Sequence, residues 1–247
     1  MLVIWLWVVL VVLLGGAAYW LVYTTEGTYL GSGIVTLLYD WTARRYDKIK
    51  DLHFVDEARY LAIPLVETLG AFSRARVLDV ATGTGRLPIA LGRQYDFAGT
   101  VTGIDRSYRM LAEAHKAIEE LDGISLLRGD AHRLPFADES FDCVTCLEAV
   151  EFMSDPRRAL CEMMRVLVPG GVMMVSNRVG AEASLFPARI TGRGQLERVL
   201  AEMGMKDVSM RRWQVHYDLV FAIKPLPWLN IVAEAPAPTV EPMRKGN

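Results

Sequence analysis

The pattern of apolar and polar positions changes rhythm along the chain. From Leu2 to Tyr23 almost every residue is apolar, and the first formal charge is Glu26. A helix rising about 1.5 Å per residue over that run crosses the roughly 30 Å hydrocarbon core of a bilayer. Thr24 to Gly33 reads as a short Gly/Thr linker. Ile34 to Lys50 then sets Ile34, Leu37, Leu38, Trp41 and Ile49 against a basic face of Arg44, Arg45 and Lys48. That segment suits either a membrane surface or a first helix packed on a sheet. Beyond it, short apolar runs alternate with amphipathic ones. Strands are expected at 76–80, 100–104, 124–128, 141–146 and 171–176. Helices are expected over Val55–Leu69, from near Arg86, over Ser107–Leu121, over Pro156–Leu167 capped by Ser154 or Asp155, and over Gly194–Met203. Val208–Trp213 and Tyr217–Ile223 are close enough to pair as a hairpin across Gln214-Val215-His216.

Strands alternating with helices imply an α/β fold: a doubly wound, mostly parallel sheet of seven strands, Rossmann-like, with an antiparallel C-terminal strand. The expected organisation is an anchor at 1–23, a juxtamembrane linker and amphipathic segment at 24–50, one catalytic domain at 51–224 and a Pro-rich disordered tail at 225–247.

With a net charge of −2 and no basic patterning, the chain shows no footprint for nucleic acid. Trp5, Trp7, Tyr19, Trp20 and Tyr23 sit near the ends of the first run, as an interfacial aromatic belt requires. A cleaved signal is the rival reading, with Gly16-Ala17-Ala18 as its small residues, but no Lys or Arg precedes the run. Basic residues follow the span and none precedes it, which places the domain on the cytoplasmic side. Cys143, Cys146 and Cys161 make no disulfide framework, and the Cys143/Cys146 pair falls in a strand where positions three apart face opposite ways. Buried reduced thiols are expected. The histidines His53, His115, His132 and His216 are scattered without ligand spacing, so no metal is implied.

The chemistry concentrates where strands end. Val77-Leu78-Asp79-Val80 runs into Ala81-Thr82-Gly83-Thr84-Gly85 and then a helix, and Val101-Thr102-Gly103-Ile104 ends in Asp105. Glycines let backbone approach a nucleoside, and a carboxylate at the next strand end can accept from both ribose hydroxyls. A dinucleotide fingerprint needs a third glycine where Leu87-Pro88 stand, and Asp79 is a poor neighbour for a pyrophosphate. A nicotinamide-dependent oxidoreductase is therefore disfavoured.

The glycine turn resembles motif I of the class I S-adenosylmethionine-dependent methyltransferases. Gly129-Asp130-Ala131, Leu134-Pro135-Phe136, Ser140-Phe141-Asp142 and Arg165-Val166-Leu167-Val168-Pro169-Gly170-Gly171 resemble, in order, the motifs of the ubiquinone/menaquinone-biosynthesis-like (type 11) methyltransferases, over roughly residues 50 to 224. The resemblance implies S-adenosylmethionine as cofactor. Ala81, Gly83 and Gly85 would pass its methionine end, whose positive charge Asp79 would neutralise. Asp105, beside Arg106, would hold the ribose, Asp130 and the Ala131 amide the adenine, and Leu147 would face the methyl group. Tyr39-Asp40 and Tyr46-Asp47 resemble pairs that help cover the cofactor. Glu148, Glu151 and Tyr46 are the candidate bases. Leu147 to Met153 departs from the quinone enzymes' F-G-L-R-N-type segment, and Phe152 stands where many relatives carry histidine. The resulting expectation is a membrane-anchored methyltransferase with a small lipophilic acceptor, set against a cofactor-binding scaffold without turnover.

Overall fold

Seven strands form one sheet: β1 (Arg76–Val80), β2 (Thr100–Asp105), β3 (Ile124–Arg128), β4 (Phe141–Cys146), β5 (Leu167–Arg178), β6 (Lys206–Arg212) and β7 (Tyr217–Ile223). The computed structural model describes residues 1–49, 54–70, 74–186 and 190–227. The strand order is β3-β2-β1-β4-β5-β7-β6, with β7 antiparallel to both β5 and β6 and the other pairs parallel. The chain reverses its winding direction between β1 and β4, and a crevice opens there at the carboxyl ends of the strands.

Side chains alternate across the central strands, so one sheet makes two cores. Leu78, Val144 and Met173 pack beneath α6 (Pro156–Val166) and α7 (Gln195–Glu202). Val77, Cys143 and Met174 pack on the other face beneath α3 (Ile63–Leu69) and α4 (Arg86–Gly92). Cys143 and Cys146 lie in different cores, buried and unpaired as disulfides. Each fully buried aliphatic side chain stabilises the fold by about 1.5–3 kcal/mol.

Several boundaries differ from expectation for identifiable reasons. The helix expected over Val55–Leu69 is a turn at Phe54–Glu57, a π-helical turn at Ala58–Ala62 and then α3. Pro64 has no N–H and its ring would strike the carbonyl one turn back, and the wider turn relieves that crowding. The helix expected from Ser107 ends sooner: α5 is Tyr108–Ala117, with the Ser107 hydroxyl capping the Met110 amide. Asp155 caps α6. β5 is longer than expected because the Pro169-Gly170-Gly171 stretch is held within the sheet, the Gly170 amide donating to the Lys224 carbonyl at 2.8 Å. Arg165, read as part of that turn motif, instead clasps the β3–β4 connection: its guanidinium donates to the carbonyls of Leu134 and Phe136 at 3.0 and 2.8 Å.

At the N-terminus α1 (Leu2–Tyr19) is an apolar helix, and residues 4–22 are long and apolar enough to cross a membrane, with none of that stretch buried. The linker is not a loose tether. Thr25 and Thr28 are buried, the Gly27 amide donates to the Leu21 carbonyl at 2.9 Å, and the Tyr29 hydroxyl donates to the Leu185 carbonyl at 2.5 Å. α2 (Ser32–Thr42) follows and packs on the domain beside α5. The Pro-rich tail expected from Pro225 lies, from residue 228 onward, outside the described residues.

Candidate active site

β1 delivers the chain into a turn built from left-handed backbone. Ala81, Gly83 and Gly85 have φ of +57°, +57° and +85°. For glycine that conformation costs little, whereas at Ala81 it is strained. The two glycines serve different ends. A Cβ on Gly83 would meet nothing within 4 Å, whereas one on Gly85 would press on Ala114 Cβ of α5 at 3.3 Å. Gly83 is therefore bare backbone facing the crevice, and Gly85 is a packing glycine.

Asp105 ends β2 opposite this turn. Its Oδ2 accepts from the Gly83 amide at 2.8 Å and its Oδ1 from the Ser107 amide at 2.7 Å. Burial raises its pKa, opposed by those amides. The carboxylate is thus fixed in orientation, with lone pairs left for a ligand. Across the crevice Asp130 accepts from the amide of His132 at 2.9 Å and from its Nδ1 at 2.6 Å. His132 Nε2 accepts from the Asp155 amide at 3.2 Å, which assigns the ring proton to Nδ1. Burial pushes the Asp130 carboxyl up, but the His132 bonds outweigh it and hold the carboxyl below its ordinary range.

Of the sequence-derived candidates, Ala81, Gly83, Asp105, Arg106, Asp130, Ala131, Leu147, Glu148 and Tyr46 line one crevice. Asp79, Gly85 and Glu151 do not. Asp79 shares a sheet face with Thr145, its partner in register on β4, and accepts from that hydroxyl at 2.6 Å. It is buried, and burial pushes its carboxyl up to about 6. Glu151 turns away beneath the sheet end, where the Tyr217 hydroxyl donates to it at 2.5 Å and Arg178 stands 3.7 Å off. Burial pushes it up to about 7.

The remaining two candidate bases are also committed. The Arg86 guanidinium donates to Glu148 at 2.5 Å and to both oxygens of Glu57 at 2.5 and 2.6 Å, with the Trp213 ring stacked 4.6 Å away. Glu148 has φ of +49°, strained for a non-glycine residue, and its amide donates to the Ser176 hydroxyl. Burial, and after it the charges of Glu148 and Glu26, raise the Tyr46 phenol above the ordinary tyrosine range. Tyr46 is a hydrogen-bond donor at neutral pH, not a base. Arg86 and Glu57 were missed in the sequence, since a lone arginine after a glycine turn signals nothing by spacing.

The segment before the domain roofs the crevice. Ser32, Val35, Thr36 and Tyr39 of α2 line it together with Phe152 and Met153. The two Tyr-Asp pairs divide their work. The tyrosines face inward, while Asp47 accepts from the Thr84 hydroxyl at 2.6 Å and Asp40 from the Ser107 hydroxyl. Those bonds pin the roof to the glycine turn and to the start of α5. Arg106 adds a bond to the Ser32 hydroxyl at 2.9 Å.

Bare backbone at Gly83, a fixed acceptor at Asp105 and an excess of carboxylates over cations in the lining fit a nucleoside whose far end is cationic and free of phosphate. Residues 78–175 match the family described as a methyltransferase domain. Within the sheet described above, that segment is thus similar to a methyltransferase domain. The cofactor that this match implies is S-adenosylmethionine. The chain is similar to demethylmenaquinone methyltransferases of Renibacterium salmoninarum, 37% identical over 58% of this chain and 57% of that one, and of Staphylococcus aureus, 34% identical over 53% and 55%. It thus spans little more than half the length of these curated relatives. Among solved structures, the [4+2]-cyclase SpnF aligns over 79% of this chain and 97% of its own, with TM-score 0.66 and 22% identity. A SAM-dependent methyltransferase of Aquifex aeolicus aligns over 73% and 97%, with TM-score 0.60 and 19% identity. At that identity these neighbours establish the fold, whose seven-stranded sheet this chain shares.

Proposed function

We propose that the protein is a membrane-anchored, S-adenosylmethionine-dependent methyltransferase acting on a small lipophilic acceptor from the cytoplasmic side. The observation that carries this reading is the single crevice with a polar floor for the cofactor, at Gly83, Asp105 and Asp130, and an apolar wall, at Val35, Leu147, Phe152 and Met153. The relatives' name specifies a quinone-type acceptor for those proteins, and an apolar wall suits that class. A bound sulfonium supplies an already activated methyl carbon. The chain's own contribution is then alignment of acceptor and methyl group, which governs the rate of an in-line displacement.

Asp105 would accept from the ribose hydroxyls and Asp130 from the adenine amine, with the Ala131 amide beside it. Tyr46 would donate to an acceptor oxygen, steering it toward the methyl group. No free carboxylate faces the crevice from the candidate bases: Glu148 is held by Arg86, and Glu151 lies outside. That favours an acceptor atom that is already nucleophilic, such as an enolate or phenolate-like carbon.

The test is transfer of radiolabelled methyl into membrane extracts by the full chain, with the product identified by mass. A lipid-soluble labelled product is expected. S-adenosylhomocysteine binding without any label transfer would favour the scaffold without turnover. Protease digestion of intact cells and of inverted vesicles tests the topology, and a domain cleaved from outside intact cells would refute the cytoplasmic orientation.

A further inference from the structure

The roof of the crevice has a second, outward face. Ile34, Leu37 and Trp41 follow one another at helical spacing on α2, and Leu37 and Trp41 are 61% and 72% exposed. On the opposite side Val35 and Tyr39 line the crevice. The helix is apolar outside as well as inside, which an ordinary solvated helix avoids. Its charges are sorted too. Asp40, half-buried, and Asp47, exposed, accept from the Ser107 and Thr84 hydroxyls, while Arg44, Arg45 and Lys48, in the segment directly after α2, are exposed as well. Exposed Tyr108 and Arg109, at the start of α5, extend the same surface.

The position of this surface along the chain selects its occupant. Trp20, near the end of the apolar stretch, stacks on Tyr29 with ring centroids 5.4 Å apart, and α2 begins three residues later. The interfacial end of a span is where Trp and Tyr reside, so α2 starts at the level of the lipid headgroups. A basic rim around an apolar, Trp-bearing face is the composition of a helix lying in an anionic interface, its apolar side about 5–10 Å deep.

We propose that the outer face of α2, with the adjoining rim of α5, docks on the anionic bilayer surface, so that the roof of the crevice is seated in the membrane and the acceptor reaches the crevice from the lipid side. The docking surface rests on the exposed residues and on the proposed membrane anchor beside them; the acceptor route rests on the proposed methyltransferase reading as well. It makes the roof a shared wall. Lipid holds one face while Asp40 and Asp47 hold the other to the cofactor site. A lipophilic acceptor then need not cross water.

The experiment uses the full chain in nanodiscs of phosphatidylcholine and phosphatidylglycerol, in a Cys161→Ser background. A nitrobenzoxadiazole label is placed through Leu37→Cys or, as control, through Tyr95→Cys, a fully exposed site on the loop before β2. Doxyl-labelled lipid should quench the label at position 37 severalfold more than at position 95; equal quenching overturns the docking surface. A second arm compares the wild type with Leu37→Asp/Trp41→Asp, whose side chains lie outside the crevice. S-adenosylhomocysteine affinity should be unchanged, and labelled methyl incorporation into membrane extracts should fall severalfold. Undiminished incorporation overturns the acceptor route. If the wild type transfers no methyl at all, the methyltransferase reading has failed while the quenching result still decides the docking.

Discussion

Replacing Asp105 with alanine separates the ligand role of that carboxylate from its structural one. Two charge-assisted hydrogen bonds to a ribose contribute about 1.5–3 kcal/mol each, so their loss should weaken S-adenosylhomocysteine binding by roughly 10²- to 10⁴-fold at 1.4 kcal/mol per tenfold. The structure adds a cost that the strand-end pattern alone did not reveal. The same carboxylate accepts from the Gly83 and Ser107 amides, at 2.8 and 2.7 Å. Both residues border the crevice, but Gly83 is half-exposed and its amide can turn to water, whereas Ser107 is buried. One stranded buried donor costs about 1–3 kcal/mol, partly offset because burial raises the Asp105 pKa and so works against its charge in the fold. A melting temperature lower by about 2–10 °C is expected for a domain of this size. Titration calorimetry with S-adenosylhomocysteine and scanning calorimetry of the same preparation read both effects. Binding within twofold of wild type would show that Asp105 is not the ribose acceptor, whatever happens to the stability.

Ala81→Gly should stabilise the protein by about 0.5–1 kcal/mol, since relief of the left-handed strain exceeds glycine's entropy in the unfolded chain; a lower melting temperature would contradict the strained φ of +57°. Arg86→Met should destabilise by about 3–5 kcal/mol because it leaves Glu57 and Glu148 buried without their cation, and Glu57→Gln added to it should recover part of the loss in urea unfolding. Glu151 is raised from 4.5 to about 7, so the folded chain keeps a proton that the unfolded chain releases. Stability should therefore fall as pH rises from about 4.5 to about 7, by up to roughly 3 kcal/mol from this group. Glu151→Gln should flatten that part of the pH dependence, and a slope identical to wild type would place the titration elsewhere, with Asp79 the next group of the same sign.

The sequence shows most clearly what repeats a period. β1, β2, β4 and β5 were legible because buried parallel strands need near-continuous apolar runs, β7 because it is equally buried though antiparallel, and the glycine turn because Gly83 must expose bare backbone. Long-range pairing left no such mark. Nothing adjacent to Asp79 reveals that its register partner on β4 is a threonine hydroxyl, and so its burial outside the crevice could not be read locally. Gly85 looks like Gly83 in a motif and differs only in having Ala114 across from it. The family motifs misdirect in the same way. Arg165 and Leu134-Pro135-Phe136 carry the resemblance, yet they meet each other outside the crevice lining, fastening the β3–β4 crossover.

The division between the two halves of the crevice follows from that difference. The half proposed for the cofactor is made by strand ends, whose positions the sheet fixes to within a hydrogen bond, so a few residues with strict geometry suffice and stand out as a pattern. The half proposed for the acceptor is made by α2 and by the stretch after β4, joined through Tyr39, Phe152 and Phe186, whose rings meet edge-on at 6.1 and 5.8 Å. Apolar packing of that kind is nondirectional, and many combinations of side chains satisfy it equally well. On the proposed reading, specificity there rests on shape and on what the outer face of α2 touches, and neither has a period for a sequence to display. The same physics that makes the cofactor legible therefore leaves the acceptor to be found by experiment, and points to the lipid extract as the place to look for it.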